Sequence, residues 1–250
     1  MNMAQQPVVA QSNISEDEAV KRLRAAAGRG DTTAQALLSY RLWEGRGVQK
    51  NLPQSVQWLR EAADGGNAMA QVSLGSLYLR GNDEAGVAKD VAQGAEWYRR
   101  AVQQGDLGTT PEAKDAADPD ASSVPEYRGM RDDVKRFSGV AAELLGQVYE
   151  NGGFLPRDYG EAVRWYRRGA EQGYENAQWR LGLSYENGRG VPQDNVQAEK
   201  WFMIAAALQD GNSIFRGARD QLEKKMSPAE VSGAKRQAQE WLDVFKTRKR

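Results

Sequence analysis

The stretch Ala177-Gln-Trp-Arg-Leu-Gly-Leu-Ser-Tyr-Glu-Asn-Gly-Arg-Gly-Val-Pro-Gln-Asp194 decides the fold of this chain. It carries the pattern Ala-x-x-x-Leu-Gly-x-x-Tyr-x-x-Gly, and an Asp follows at the spacing of a new helix start. The pattern also stands one unit earlier, because Tyr149 precedes Tyr185 by 36 residues. A fixed period of roughly 20–50 residues is the signature of stacked supersecondary units. The sequence therefore predicts a repeat protein.

Four copies of the unit can be aligned. In the first half of each copy an Ala precedes a Leu by four residues, a small residue follows the Leu, and a Gly ends the half. The four Leu residues are Leu38, Leu74, Leu145 and Leu181. The second half opens with Asp or Asn and has Glu or Gln three residues later, which is the spacing of a helix capping box. These pairs are Asn51/Gln54, Asp90/Gln93, Asp158/Glu161 and Asp194/Gln197. Each copy therefore predicts a helix, a Gly-containing loop and a second helix.

A Trp followed by a large apolar residue recurs in the second half of every copy. The Trp residues are Trp58, Trp97, Trp165 and Trp201. Because stacked units must bury a continuous apolar core, we expect these four side chains to pack in it. Gly45-Arg-Gly47 and Gly188-Arg-Gly190 invite comparison with phosphate-binding loops, but no strand precedes them and each is the loop of a repeat.

The period also divides the chain. We expect a flexible N-terminus at 1–14 and a solenoid at 15–211, with repeats at about 33–67, 68–106, 139–174 and 175–211. Residues 15–32 supply a half-repeat, and 212–250 supply capping helices and a basic tail. Trp97 and Trp165 are 68 residues apart, which is 32 more than one period and places an insertion at 107–138. Long irregular insertions are often functional or disordered, and the sequence leaves both open.

Composition excludes several classes of site. The 250-residue chain has 34 basic and 34 acidic residues and no His or Cys. Triads that need His or Cys are therefore impossible, and the usual zinc sites are excluded. We expect no cofactor and no nucleic-acid partner, because zero formal charge offers no basic face. No apolar run reaches the roughly 18 residues that a membrane span needs, so no transmembrane segment is expected.

The pattern carried by these residues resembles the Sel1-like repeat, a bacterial relative of the tetratricopeptide repeat. The resemblance implies an all-α, right-handed α-solenoid of about four helix-turn-helix repeats that binds a protein partner on its concave face. It carries no shared catalytic residues, so the expected function is a non-enzymatic protein–protein interaction module, either a scaffold or adaptor or an inhibitor. The oligomeric state stays open. The periplasm is the expected compartment, with a signal peptide already removed, and the cytoplasm is the alternative.

Two alternatives to this function stay open. One is an immunity protein that neutralises a secreted bacterial toxin, such as a type VI secretion lipase effector. The other is a hydrolase acting on peptidoglycan or β-lactams. A hydrolase of this kind is suggested by some relatives that are Cys-rich, whereas this chain has no Cys.

The first helices of such stacks line the concave face, and their positions outside the packing pattern are free to contact a partner. These positions combine aromatic anchors with an acidic edge that suits a toxin or enzyme with a basic rim. They are Tyr40, Trp43, Glu44, Met69, Val72, Leu79, Arg80, Glu143, Gln147, Glu150, Trp179, Leu183, Glu186 and Asn187. The alternative is that Trp43 or Trp179 packs against the neighbouring unit or the insertion.

Overall fold

The chain is a stack of helices in the computed structural model, which describes residues 14–107, 119, 121–127, 134–152, 155–209 and 213–248. The predicted flexible N-terminus falls almost entirely outside these ranges. The helices in the described part are α1 Glu16–Gly28, α2 Thr32–Glu44, α3 Leu52–Asp64, α4 Ala68–Arg80, α5 Val91–Leu107, α6 Val134–Asn151, α7 Tyr159–Glu171, α8 Glu175–Asn187, α9 Asn195–Leu208, α10 Ser213–Glu223 and α11 Pro228–Arg248. One turn of 3-10 helix spans Ala121–Ser123. Within the described ranges there is no strand.

From α1 to α9, each helix packs mainly against its neighbours along the chain. The pairs α2–α3, α4–α5, α6–α7 and α8–α9 form the four repeats, and α1–α2, α3–α4, α5–α6 and α7–α8 join successive units. The first helix α6 also contacts α4 and α8, so the first helices share one face. Helices α10 and α11 pack on α9 and close the C-terminal end. This nearest-neighbour order is that of an α-solenoid and confirms the predicted fold class.

Side-chain caps start the helices where the sequence predicts them. Asn51, Asp90, Asp158 and Asp194 each accept a hydrogen bond from the backbone N–H three residues later. Asp31 and Asn67 cap α2 and α4 in the same way, although the sequence pattern did not predict these two caps. Each cap satisfies one of the N–H groups that a helix start leaves without an intrahelical partner.

In three of the four repeats the glycine beside the repeat Leu receives an aromatic ring. Gly75, Gly146 and Gly182 lie against Tyr98, Tyr166 and Phe202, and a Cβ atom added at Gly146 would lie 2.3 Å from Tyr166 Cε1. These rings belong to the residue after the repeat Trp, and they are the fully buried members of each pair. The expectation that all four Trp residues lie in the core holds for Trp201. The other three, Trp58, Trp97 and Trp165, are only partly buried and pack against its edge.

A second periodic contact joins the units. The side-chain amides of Gln35, Gln71 and Gln178 donate to the carbonyl oxygens of Ala27, Ala63 and Ala170. In each case a first helix supplies a donor to the C-terminal turn of the preceding second helix, whose carbonyls lack an intrahelical partner. The Ala-Gln dipeptide that recurs in three copies is the sequence signal of this contact.

Candidate partner-binding groove

A groove with a volume of about 570 Å³ runs between α2 and α4, the first helices of the first two repeats. Its walls carry the large side chains of Tyr40, Trp43 and Met69. Between them α2 and α4 contribute small side chains, which leave the space that forms the groove. The small residues that line it are Ala36, Ser39, Ser73 and Ser76.

The floor of the groove has its polar groups satisfied internally. The Ser55 hydroxyl donates to the Ser39 carbonyl oxygen at 2.7 Å, and the two hydroxyl groups are 3.0 Å apart. Both residues are buried. The floor therefore needs no hydrogen bond from a ligand, and the contact surface it offers is mainly that of apolar side chains from Leu59 and Val72.

Two aromatic residues define the anchor positions. Tyr40 is 47% exposed, which makes it one of the few exposed large hydrophobic residues in the described part of the chain. Trp43 is partly buried and packs on one side against Leu52 and Val56 of α3. Tyr40 is thus available to a partner, whereas Trp43 also stabilises the first repeat.

Charged side chains stand at one end of the groove. Glu44 and Arg80 are the last residues of α2 and α4, and both are exposed and line the groove. Within the ranges described above, neither forms an ion pair, and Arg80 Nε makes a long hydrogen bond of 3.4 Å to the Ser76 carbonyl oxygen. Both charges are therefore free to meet a partner.

The acidic residues predicted in the third repeat already have internal partners. Glu143 is buried and accepts hydrogen bonds from Arg180 Nε at 2.5 Å and from the Gln147 amide. Glu150 accepts one from the Tyr166 hydroxyl at 2.5 Å and lies 3.5 Å from Arg180 Nη1. Burial and the Glu150 carboxylate raise the pKa of Tyr166, so the phenol stays a donor. Glu143 and Glu150 are thus paired within the protein, and they do not form the acidic edge that was predicted to contact a partner.

The two apolar residues predicted in the fourth repeat, Trp179 and Leu183, pack against the C-terminal helices. The ring centroids of Trp179 and of Phe215 in α10 are 6.1 Å apart, and Leu183 packs in the same apolar cluster as Leu222. Trp179 therefore packs inside the protein, as the alternative interpretation of the sequence allowed, but against the C-terminal helix α10. The sequence could not show this contact, because α10 follows the last repeat and carries no part of the repeat pattern.

The remaining predicted residues also lie away from the groove. Glu186 Oε1 is 3.5 Å from Lys225 Nζ, and the exposed Asn187 donates to the Leu183 carbonyl oxygen. Leu79 packs against α5, where its Cδ1 atom would be 2.1 Å from a Cβ atom added at Gly94. The groove thus brings together six of the predicted residues, namely Tyr40, Trp43, Glu44, Met69, Val72 and Arg80.

In the described ranges no group of three or more Asp, Glu, His or Cys side chains is arranged to hold a metal ion. Across the same ranges, no helix combines the length and the apolar character needed to cross a bilayer.

Comparison with known proteins places the chain in a family. The Sel1 repeat family matches residues 32–67, 68–106, 139–174 and 176–210. A solved Sel1 repeat protein from Oxalobacter formigenes is 28% identical with a TM-score of 0.63, over 83% of this chain and 49% of that one. A protective antigen of uropathogenic Escherichia coli with an SLR fold is 29% identical with a TM-score of 0.46, over 88% and 47%. This chain therefore spans about half the length of these two proteins.

An immunity protein from Pseudomonas aeruginosa is a more distant match, at 16% identity and a TM-score of 0.28, over 90% of this chain and 84% of that one. No curated protein matches the sequence. Sel1 repeat proteins generally mediate protein–protein interactions on a scaffold that is typically non-enzymatic. With four matched repeats that cover more than half of its length, this chain belongs to the Sel1 repeat family.

Proposed function

We propose that this protein is a non-enzymatic interaction module that seats a short segment of a protein partner in the groove between α2 and α4. The observation that carries the proposal is the groove itself, with its volume of about 570 Å³ and its exposed Tyr40. This volume lies within the roughly 300–1,000 Å³ typical of pockets for drug-sized ligands, which are comparable in size to a few side chains. The partner therefore contributes a segment, not an extended surface.

The lining defines the chemistry of that segment. Apolar side chains of the partner would pack against Tyr40, Met69 and Val72, where aromatic residues are favoured anchors. At the charged end, a basic residue of the partner would face Glu44 and an acidic residue would face Arg80. Such charge pairs contribute mainly to specificity and to the binding register.

Truncation of the exposed anchor tests this groove. We expect Tyr40→Ala to weaken partner binding by about 30-fold or more, since removing an interface anchor costs about 2 kcal/mol or more. The measurement is affinity purification from the source cells, followed by titration of the purified partner. Val244→Ala is the matched control, because Val244 is also exposed but lies on α11.

If Tyr40→Ala and the unaltered protein bind the partner with equal affinity, the groove is not the binding site. The identity of the partner separates the versions of the proposal. A secreted toxin as partner supports an immunity protein, and an envelope or signalling protein supports an adaptor. Turnover of peptidoglycan or a β-lactam by the purified chain would instead support the hydrolase alternative.

A further inference from the structure

Among the described residues, helix α1 has no preceding first helix to pack against, whereas the second helices of the complete repeats do. In complete repeats, α3 packs against both α2 and α4, and α7 packs against both α6 and α8. Helix α1 has the sequence pattern of a second helix, and α2 is the first helix that follows it. In a complete repeat, a first helix would precede α1 and pack beside both α1 and α2. The repeat pattern in the sequence contains no such helix before α1.

Part of the insertion occupies this place. Ala121, Val124 and Tyr127 are at most 2% exposed and belong to the same apolar cluster as Leu23 of α1 and Leu37 of α2. The three residues are spaced three apart and point one small, one β-branched and one aromatic side chain into the cluster. The insertion thus returns from the junction of repeats two and three to the N-terminal end of the stack.

Polar contacts fix the segment in a single register. Arg22 Nη1 donates to Ser123 Oγ at 2.7 Å, and the Tyr127 hydroxyl donates to the Asp31 carboxylate. Because Asp31 also caps α2, this hydroxyl bond ties the segment to a helix start.

A buried arginine adds a charged contact. Arg41 is only 2% exposed, and its Nη2 lies 3.0 Å from Glu126 Oε1. Arg46 Nη1 lies 3.1 Å from the same oxygen, and both arginines also pair with Glu16. Burial lowers the pKa of Arg41, and Glu126 opposes this shift. Loss of the Glu126 carboxylate would leave the buried Arg41 charge with only one of these two carboxylates, Glu16, so the ion pair with Glu126 favours docking of the segment.

We propose that the end face of α1 and α2 is a second peptide-binding site, which the chain fills with its own residues 121–127. The site recognises a small, a β-branched and an aromatic residue at three-residue spacing, together with a glutamate beside the aromatic residue. The segment is short, and both of its flanks lack the repeat pattern. A short segment can open locally without unfolding of the whole fold. A free segment of the same chemistry therefore competes with residues 121–127 for this face.

The test uses the full chain and a synthetic peptide with the sequence of residues 119–129. Val124→Asp places a carboxylate in the apolar cluster and should release the segment. We expect backbone hydrogen exchange in α1 to rise by about tenfold or more, while exchange in α7, α8 and α9 stays unchanged. The peptide should then bind this variant and restore the protection of α1. A peptide with Tyr127→Ala and Glu126→Lys is the control and should do neither.

Two results would overturn the proposal. One is unchanged protection of α1 in Val124→Asp. The other is failure of the peptide to bind the released variant at about 1 mM, which is the order of the effective concentration that a short linker provides. If Val124→Asp does not fold, the milder pair Val124→Ala and Glu126→Gln is measured in the same way. The same two results then decide the outcome.

Discussion

Gly190→Ala should destabilise the stack by about 2–5 kcal/mol, because a strained backbone conformation and a forced contact each cost about 1–3 kcal/mol. Gly190 has a φ of +74°, and a Cβ atom added there would lie 2.1 Å from the Tyr159 carbonyl oxygen. The clash is with backbone at the start of α7, so no side-chain rotation relieves it. Gly47 repeats this arrangement, with a Cβ position 2.6 Å from the Glu16 carbonyl oxygen at the start of α1. The Gly-Arg-Gly loops therefore serve helix packing.

The measurement is urea denaturation followed by circular dichroism. Gly233→Ala is the control, because Gly233 lies inside α11 and a Cβ atom there meets nothing within 4 Å. That change should stabilise the protein by about 0.5–1 kcal/mol, which is the gain expected for alanine over glycine in a helix. A Gly190→Ala protein as stable as the unaltered chain would contradict the packing described for this loop.

Glu199→Gln should stabilise the C-terminal cap by up to about 5 kcal/mol above pH 8, since a pKa raised from 4.5 to about 8 disfavours the folded carboxylate by about 1.36 kcal/mol for each tenfold change in its ionisation constant. Glu199 lies on α9 and is fully buried, at 0% exposure. Burial, and next the nearby Glu223 carboxylate, raise its pKa to about 8, and Arg219 and Lys235 partly offset the rise. The neutral amide of Gln avoids the burial of a charge and retains the shape of the side chain.

The sign of the pH dependence follows from this raised pKa. Below the ordinary pKa of 4.5 the carboxyl group is neutral in both folded and unfolded chains, so its ionisation has no effect on stability. Between pH 4.5 and about 8 the unfolded chain ionises while the folded chain does not, so stability falls as the pH rises. The advantage of Glu199→Gln should therefore grow across this window and level off above it.

Thermal unfolding of Glu199→Gln and of the unaltered protein at several pH values measures this difference. Glu171→Gln removes an exposed carboxylate on α7 and is the control for the loss of one negative charge. A stabilising effect of Glu199→Gln that shrinks as the pH rises would show that the buried carboxyl group is not the source.

The fold was predictable because its contacts repeat. Leu181 and Gly182 have counterparts one period away, so three of the four units show the same packing of a glycine against an aromatic ring. The docked segment of the insertion has no such signal. The contact between Arg22 and Ser123 joins residues 101 positions apart and occurs once, so no period marks it. Contacts of this kind depend on the folded arrangement as a whole.

The residues of the candidate site were predictable only in the first two repeats, where no other described segment fills the face of the first helices. Tyr40 and Met69 lie on first helices whose shared face is left open, and the structure brings them into one groove. In the later repeats the equivalent face is filled from elsewhere. Phe215 of the C-terminal cap covers Trp179, and Arg180 neutralises Glu143. The pattern of a single repeat could not reveal these tertiary partners.

Site-specific photo-crosslinking tests most directly whether a segment of a protein partner binds in the groove between α2 and α4. A photoreactive phenylalanine analogue is placed at position 40 in the groove and, in a second protein, at position 244 on α11. Both positions are exposed, so they differ in location rather than in accessibility. The account predicts that position 40 crosslinks one protein partner through a short segment with apolar side chains, and that position 244 does not. Crosslinking of that partner at position 244 and not at position 40 would contradict it.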